Sequence, residues 1–344
     1  MSNGPKALAA RAKAARYRYY SVVLPLRVLK TQIATGYNDV KESMSAAATE
    51  SRNPASLAID SLSPLGIVRL MNSEDQQVID AVAREELAIA FAIDAIAERF
   101  SVGGRLIYVG AGTSGRLGVL DAGECPPTFS TPPEMVVGII AGGRDALTQA
   151  IEGAEDNAAA SVAELKRVSL SSGDVVVGIA TSGRTPFVLG AVEYARSLGT
   201  LTIGLACNHG SALARIAELM ITPVVGPEVI TGSTRLKAGT ATKLVLNMLT
   251  TGAMVRIGKT YGNLMVDLRA TNEKLRDRSQ RIVEEITGMA PALAAEKLRE
   301  CGGEVKTAIV AARKRVSPEE ARRTLALCQG HLRRTLDSDD TRTQ

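Results

Sequence analysis

Arg105-Leu-Ile-Tyr-Val-Gly-Ala-Gly-Thr-Ser-Gly-Arg116 and Asp174-Val-Val-Val-Gly-Ile-Ala-Thr-Ser-Gly-Arg184 share one plan, a short apolar run followed by Thr-Ser-Gly-Arg. A β-branched run that is apolar on both faces reads as a strand buried in a parallel sheet. The hydroxyl pair and glycine after it read as a strand-to-helix junction, where free backbone N–H groups and the helix dipole face an anion. Two such junctions in one sheet point to a phosphorylated ligand held from two sides. The plainer alternative is a pair of tight turns that hold nothing, since Gly and Ser are common turn residues.

Further strand candidates lie at Val136–Ala141, Leu201–Ala206 and Leu219–Val224, with helical segments at Asp145–Arg167 and Pro186–Ser197 between them. Ahead of them, Ser73-Glu-Asp has a capping-type start and apolar spacing continues to about Phe100. Five strands alternating with helices predict a three-layer α/β/α sandwich around a five-stranded parallel sheet. Ligands of such sheets bind beyond the carboxyl ends of the strands, where both Thr-Ser-Gly-Arg copies fall. After Val225 the pattern turns helical: 234–257 and 263–287 read as long helices, and 291–336 as a small appendage of three short ones. The domain reading is an extension over 1–43, a sandwich domain over 44–287, the appendage over 288–336 and a tail over 337–344.

Composition narrows the chemistry. Of 344 residues 45% are hydrophobic, enough for one substantial core. No apolar run reaches the roughly 18 residues of a membrane span. Four cysteines lie far apart without a Cys-x-x-Cys pair, and there are only two histidines, His209 and His331. That leaves no zinc or disulfide pattern and no multi-histidine metal site or histidine triad. The formal charge of +5 is concentrated in residues 1–43, which hold eight Lys/Arg against Asp39 and Glu42. The rest of the chain is nearly neutral, which gives nucleic-acid binding no support. Residues 1–43, Ala- and Arg-rich with few acids, resemble an amphipathic targeting segment, but read more simply as sequence upstream of an internal start at Met44 or as a disordered tail.

Gly110-Ala-Gly-Thr-Ser-Gly115 matches the dinucleotide fingerprint superficially, but the next strand runs into Gly142-Gly-Arg144 and offers no acid for a ribose. A third hydroxyl-rich segment, Thr231-Gly-Ser-Thr-Arg-Leu-Lys-Ala-Gly-Thr240, opens a helix that Ser233 or Thr234 can cap, with Arg235 and Lys237 adding positive charge. In Asp121-Ala-Gly-Glu-Cys-Pro-Pro127 the prolines are expected to end the preceding helix and return Glu124 to the sheet edge. Glu152 and Glu155 are three apart, as on one helix face. Carboxylates near a phosphate site are compatible with acid/base chemistry on a sugar phosphate, although a single helix carboxylate is usually a solvated charge.

Thr49-Glu-Ser-Arg-Asn-Pro-Ala-Ser56, Gly110-Ala-Gly-Thr-Ser-Gly-Arg-Leu-Gly118, Asp121-Ala-Gly-Glu-Cys-Pro-Pro127, Glu152-Gly-Ala-Glu-Asp156, the 231–240 segment and Gly262-Asn-Leu-Met-Val-Asp267 together resemble the N-acetylmuramic acid 6-phosphate etherases. The likeness runs in order from about residue 44 to 336. It implies the sugar isomerase (SIS) fold, a homodimer, a bacterial cytoplasmic setting and no cofactor or metal. It also implies cleavage of the lactyl ether of N-acetylmuramate 6-phosphate, with Glu124 and Glu155 as the catalytic carboxylates. The phosphate then falls to Thr113, Ser114, Ser182 and Thr185, with Ser233, Thr234 and Lys237 as further candidates. The competing expectations are an aldose–ketose isomerase on the same fold and a non-catalytic sugar-phosphate sensor.

Overall fold

Ser63 accepts a hydrogen bond from the Gly66 N–H and Pro64 comes next, so the first α-helix among the described residues, α1 (Pro64–Ala83), starts nine residues ahead of Ser73. The computed structural model describes residues 48–268 and 273–338. The expectations placed on residues 1–43, on Met44 and on 339–344 lie outside the described residues. α1 is succeeded by α2 (Glu86–Ser101), not by one helix running to Phe100. At the break the Glu85 side chain accepts the Thr222 N–H at 2.8 Å.

Then come β1 (Leu106–Gly110), α3 (Gly112–Phe129), β2 (Val136–Ile140), α4 (Ala158–Arg167), β3 (Val175–Ile179), α5 (Pro186–Ser197), β4 (Leu201–Leu205), α6 (Ala212–Ile216) and β5 (Leu219–Ile221). The strands form one parallel sheet in the order β2-β1-β3-β4-β5, with Gly110 level with Ile140 on one side and Ile179 on the other. Every residue of β1 and β3 is buried, which is why neither run shows polar alternation. The stretch expected as a helix over 145–167 is interrupted instead. Turns at Gly143–Leu147 and Ala154–Asp156 precede α4, and Gly153 takes a left-handed φ of 71°.

One face of the sheet, with Leu106, Tyr108, Val175 and Val177, packs under α1, α2, α3 and α7 (Lys237–Arg256). The other face, with Ile107, Val109 and Val176, packs on α4 and α5. At the amino ends of the strands Arg105 makes a two-pronged bond to Asp174, and its remaining N–H groups bond to Val168 O and Ser169 O. Burial raises the Asp174 carboxyl, but the Arg105 and Ser171 bonds outweigh it and hold the group below its ordinary range.

A hairpin of β6 (Thr260–Tyr261) and β7 (Leu264–Met265) replaces the start of the helix expected at 263. After it come α8 (Glu273–Thr287), α9 (Pro291–Glu300), α10 (Val305–Lys314), α11 (Pro318–Leu327) and α12 (Leu332–Asp337). Over 291–337 there are thus four helices where three were expected. The extra break is at Gln329-Gly330, both with positive φ. These helices share a second core with Tyr261, Val266, Leu268 and Ile282, so the helical region takes in α8 and the hairpin and begins well before residue 288.

Candidate active site

Gly110 and Gly115 touch where β1 turns into α3: a Cβ on Gly110 would lie 2.7 Å from the Gly115 N, and one on Gly115 would lie 2.7 Å from the Gly110 O. Close strand-to-helix packing therefore accounts for the fingerprint-like glycines. β1 and β3 are neighbours, but the helices after them, α3 and α5, cover opposite faces of the sheet. The gap between β1 and β3 is thus the topological switch point of this strand order, where open α/β sheets bind ligands. One Thr-Ser-Gly-Arg lies on each side of it.

The two copies differ in conformation. In the first, Thr113–Arg116 forms the first turn of α3, and neither Thr113 nor Ser114 bonds through its hydroxyl to another described residue. Arg116 is occupied: its guanidinium donates to Ala146 O, Leu147 O and Gln149 O. In the second copy the residues form a turn ahead of α5, and Ser182 Oγ accepts the Arg184 N–H at 3.3 Å. Thr185 is the N-cap of α5 but makes no side-chain capping bond. Gly183 has a φ of +68°, and a Cβ there would lie 2.3 Å from the Ser211 Cβ. Gly183→Ala is therefore expected to destabilise the fold by on the order of 3 kcal/mol, through strain and overpacking together. A urea unfolding midpoint equal to that of the parent chain would refute this.

The third hydroxyl segment also reaches the carboxyl edge. A Cβ on Gly239, in the first turn of α7, would meet Thr113 Cγ2 at 3.6 Å. Ser233 and Thr234 lie in the preceding turn and do not cap α7, contrary to expectation. Glu228 does so, accepting the N–H groups of Lys237 (2.9 Å) and Ala238 (3.0 Å) from a fully buried position. Burial still holds the Glu228 carboxyl above its ordinary range, against those two bonds and the Lys237 charge. Lys237, expected to face the phosphate, is 1% exposed and pairs with Glu74 Oε2 at 2.7 Å. Its ammonium is committed inside the protein. Cys207 lies just after β4 at this edge, but burial pushes its thiol up to about 12, so at neutral pH it offers no nucleophilic thiolate.

The two glutamates are not brought together within one chain. α3 runs on through Pro126 and Pro127 to Phe129, so the prolines do not turn Glu124 back to the sheet edge. Glu124 stands twelve residues into α3, about 18 Å along its axis, exposed on the same stripe as Leu120, Gly123 and Pro127. Glu155 lies in the turn before α4 and not on a helix face with Glu152. That turn packs over the opposite face of the sheet, where its Ala154 joins the α4–α5 core.

Two asparagines to which no site role was assigned, Asn53 and Asn208, hold the edge together. Asn53 donates to Glu74 Oε2 (2.6 Å) and Pro227 O (3.2 Å), and Asn208 donates to Thr49 Oγ1 and Thr181 O, both at 3.1 Å. Only Asn53 gave a signal, the Asn-Pro start of a capped turn. Among the described residues no three His, Cys, Asp or Glu side chains gather as a metal site, and no helix is long and apolar enough to cross a membrane.

Comparison with known proteins agrees with this architecture. A profile for the glucokinase regulatory protein N-terminal SIS domain matches residues 88–196, and one for the SIS domain matches residues 158–252. Three relatives are named N-acetylmuramic acid 6-phosphate etherase. That of Rhodopirellula baltica is 62% identical over 84% of this chain and 95% of its own length. That of Streptomyces coelicolor is 58% identical over 86% and 95%, and that of Pasteurella multocida 55% identical over 85% and 97%. Identity at this level, over nearly the whole of each relative, leaves one conclusion: the chain belongs to the N-acetylmuramic acid 6-phosphate etherase family.

Proposed function

We propose that this enzyme cleaves the D-lactyl ether of N-acetylmuramic acid 6-phosphate, releasing D-lactate and N-acetylglucosamine 6-phosphate in the recycling of cell-wall amino sugars. The observation that carries this is the switch point flanked by open hydroxyls, in a chain whose close relatives bear that activity's name. A phosphate seated there meets the free N–H groups of the first turn of α3 and the hydroxyls of Thr113, Ser114, Ser182 and Thr185. Ser233 and Thr234 approach from the α7 side.

The chemistry is set by the substrate. In the open-chain sugar the aldehyde acidifies the proton on C2, and the lactyl oxygen on C3 is β to that carbonyl. Glu155 removes the C2 proton, the electron pair forms the C2–C3 double bond, and the C3–O bond breaks as Glu124 protonates the departing lactate. Water then adds at C3 and a proton returns to C2, with the two carboxyl groups exchanging roles.

Because Glu124 and Glu155 sit on opposite layers of one chain, a complete site takes one glutamate from each of two copies. The exposed stripe of Leu120, Gly123, Glu124 and Pro127 supports this, since it surrounds one carboxylate with apolar or side-chain-free surface that a second copy would cover. The working enzyme is then a cytoplasmic homodimer.

Incubation with N-acetylmuramic acid 6-phosphate and an assay for D-lactate tests the function directly. No lactate release would refute it, and lactate-free conversion of an aldose to a ketose phosphate would indicate an isomerase. Ser114→Ala and Ser182→Ala are each expected to weaken substrate binding by about tenfold, the worth of one hydrogen bond to a charged group. They should change kcat little. Unchanged KM in either variant would remove that hydroxyl from the phosphate site.

A further inference from the structure

The Thr49–Ser56 segment is pinned at both ends to the loops that form the candidate site. At one end Thr49 is 1% exposed, gives its N–H to Asn208 Oδ1 at 3.4 Å and receives the Asn208 amide on its hydroxyl. Asn208 also bonds to Thr181 O, so this end is tied to the second Thr-Ser-Gly-Arg. At the other end Asn53, 4% exposed, joins the buried Glu74–Lys237 pair at the start of α7.

Between the pins stands Glu50. Its side chain is exposed, and among the described residues it has no hydrogen bond or ion pair. Its Oε2 lies 3.6 Å from where a Cβ on Gly232 would be, which places it against the Thr231–Thr234 turn. A carboxylate is thus delivered by two buried clamps into a ring of loops that otherwise present hydroxyls and N–H groups. It cannot serve the phosphate, because two anions in contact repel. It suits the opposite chemistry, a group on the same ligand that donates a hydrogen bond.

We propose that Glu50 is a further substrate-binding residue, accepting a hydrogen bond from the acetamido N–H of the sugar phosphate, and that Thr49 and Asn53 position it. This rests on the functional reading above, in that the ligand is a 2-acetamido sugar phosphate. The clamps fix the backbone on either side of residue 50, so no backbone ordering is left to be lost on binding, only the rotamers of one side chain.

The test is calorimetric binding to the full chain, which needs no turnover and so is independent of the lactate assay. The probes are N-acetylglucosamine 6-phosphate, 2-deoxyglucose 6-phosphate and inorganic phosphate. Glu50→Ala is expected to weaken N-acetylglucosamine 6-phosphate binding by roughly ten- to a hundredfold, the worth of a hydrogen bond to a charged acceptor. 2-Deoxyglucose 6-phosphate, which has no hydrogen-bond donor at C2, should be nearly unaffected, and inorganic phosphate should bind at least as well as before. Glu50→Gln, which keeps an acceptor oxygen, should recover part of the loss. Equal binding of N-acetylglucosamine 6-phosphate by the parent chain and Glu50→Ala would overturn the proposal. Equal losses for all three probes would also overturn it, by assigning Glu50 a structural role.

Discussion

Glu124→Gln and Glu155→Gln are each expected to lower D-lactate release by about 10²–10⁴-fold, the usual worth of a positioned acid or base. The more telling result comes from mixing the two inactive chains under conditions where subunits exchange. If each site takes Glu124 from one copy and Glu155 from the other, half of the dimers formed are mixed. Each mixed dimer then has one site with both glutamates intact and one with neither. About a quarter of the parental activity should return. If both glutamates of a site came from the same chain, every mixed site would lack one, and the mixture would stay as inactive as its parts. Recovery of lactate release from two dead variants has no explanation in a single-chain site.

Lys237→Met is expected to be the most destabilising side-chain change near the site, by about 3–5 kcal/mol, because it leaves a buried carboxylate without its counter-charge. Methionine keeps nearly the volume of the lysine stem, so the loss isolates the charge and not a cavity. The pH dependence gives a second reading. In the parent chain burial raises the Glu74 carboxyl, but the bonds from Lys237 and Asn53 and the Lys237 charge together hold it below its ordinary 4.5. That contribution is present above the unfolded value and is lost as the pH falls through the folded one. In the variant burial prevails, Glu74 shifts upward, and stability should instead rise as the pH falls towards 4.5. Urea unfolding at neutral pH and near pH 5 should show the gap between the two chains narrowing on acidification. A constant gap would mean that the pair contributes nothing electrostatic.

Much of the sheet was legible because its strands are buried on both faces, which leaves an uninterrupted apolar signature in β1 and β3. α5 was equally plain, opening on Pro186 and ending near Gly199. What the sequence concealed is of more than one kind. At the break between α1 and α2 Glu85 accepts a bond from Thr222, 137 residues away. Glu228 caps α7 although Ser233 and Thr234 are nearer in sequence and better capping residues. Pro126 and Pro127 looked like a stop signal, yet α3 continues through them to Phe129. In each case the local signal pointed elsewhere, and only in the first is the observed partner beyond any short window. The candidate site divides the same way. The hydroxyl loops were readable as motifs, whereas the commitment of Lys237 to Glu74 and the clamping of Thr49 by Asn208 were not.

The repeated Thr-Ser-Gly-Arg is a repeat of letters and not of conformation: one copy is the first turn of a helix, the other a turn that precedes one. Their arginines diverge with them, Arg116 spent on three carbonyls and Arg184 left in solvent. A cradle with matching halves would take a phosphoryl group either way round. One with unlike halves has a sense of direction. With the phosphate seated as we propose, its ester oxygen then leaves in one direction only, and the sugar attached to it is aimed before any group on the ring has been recognised.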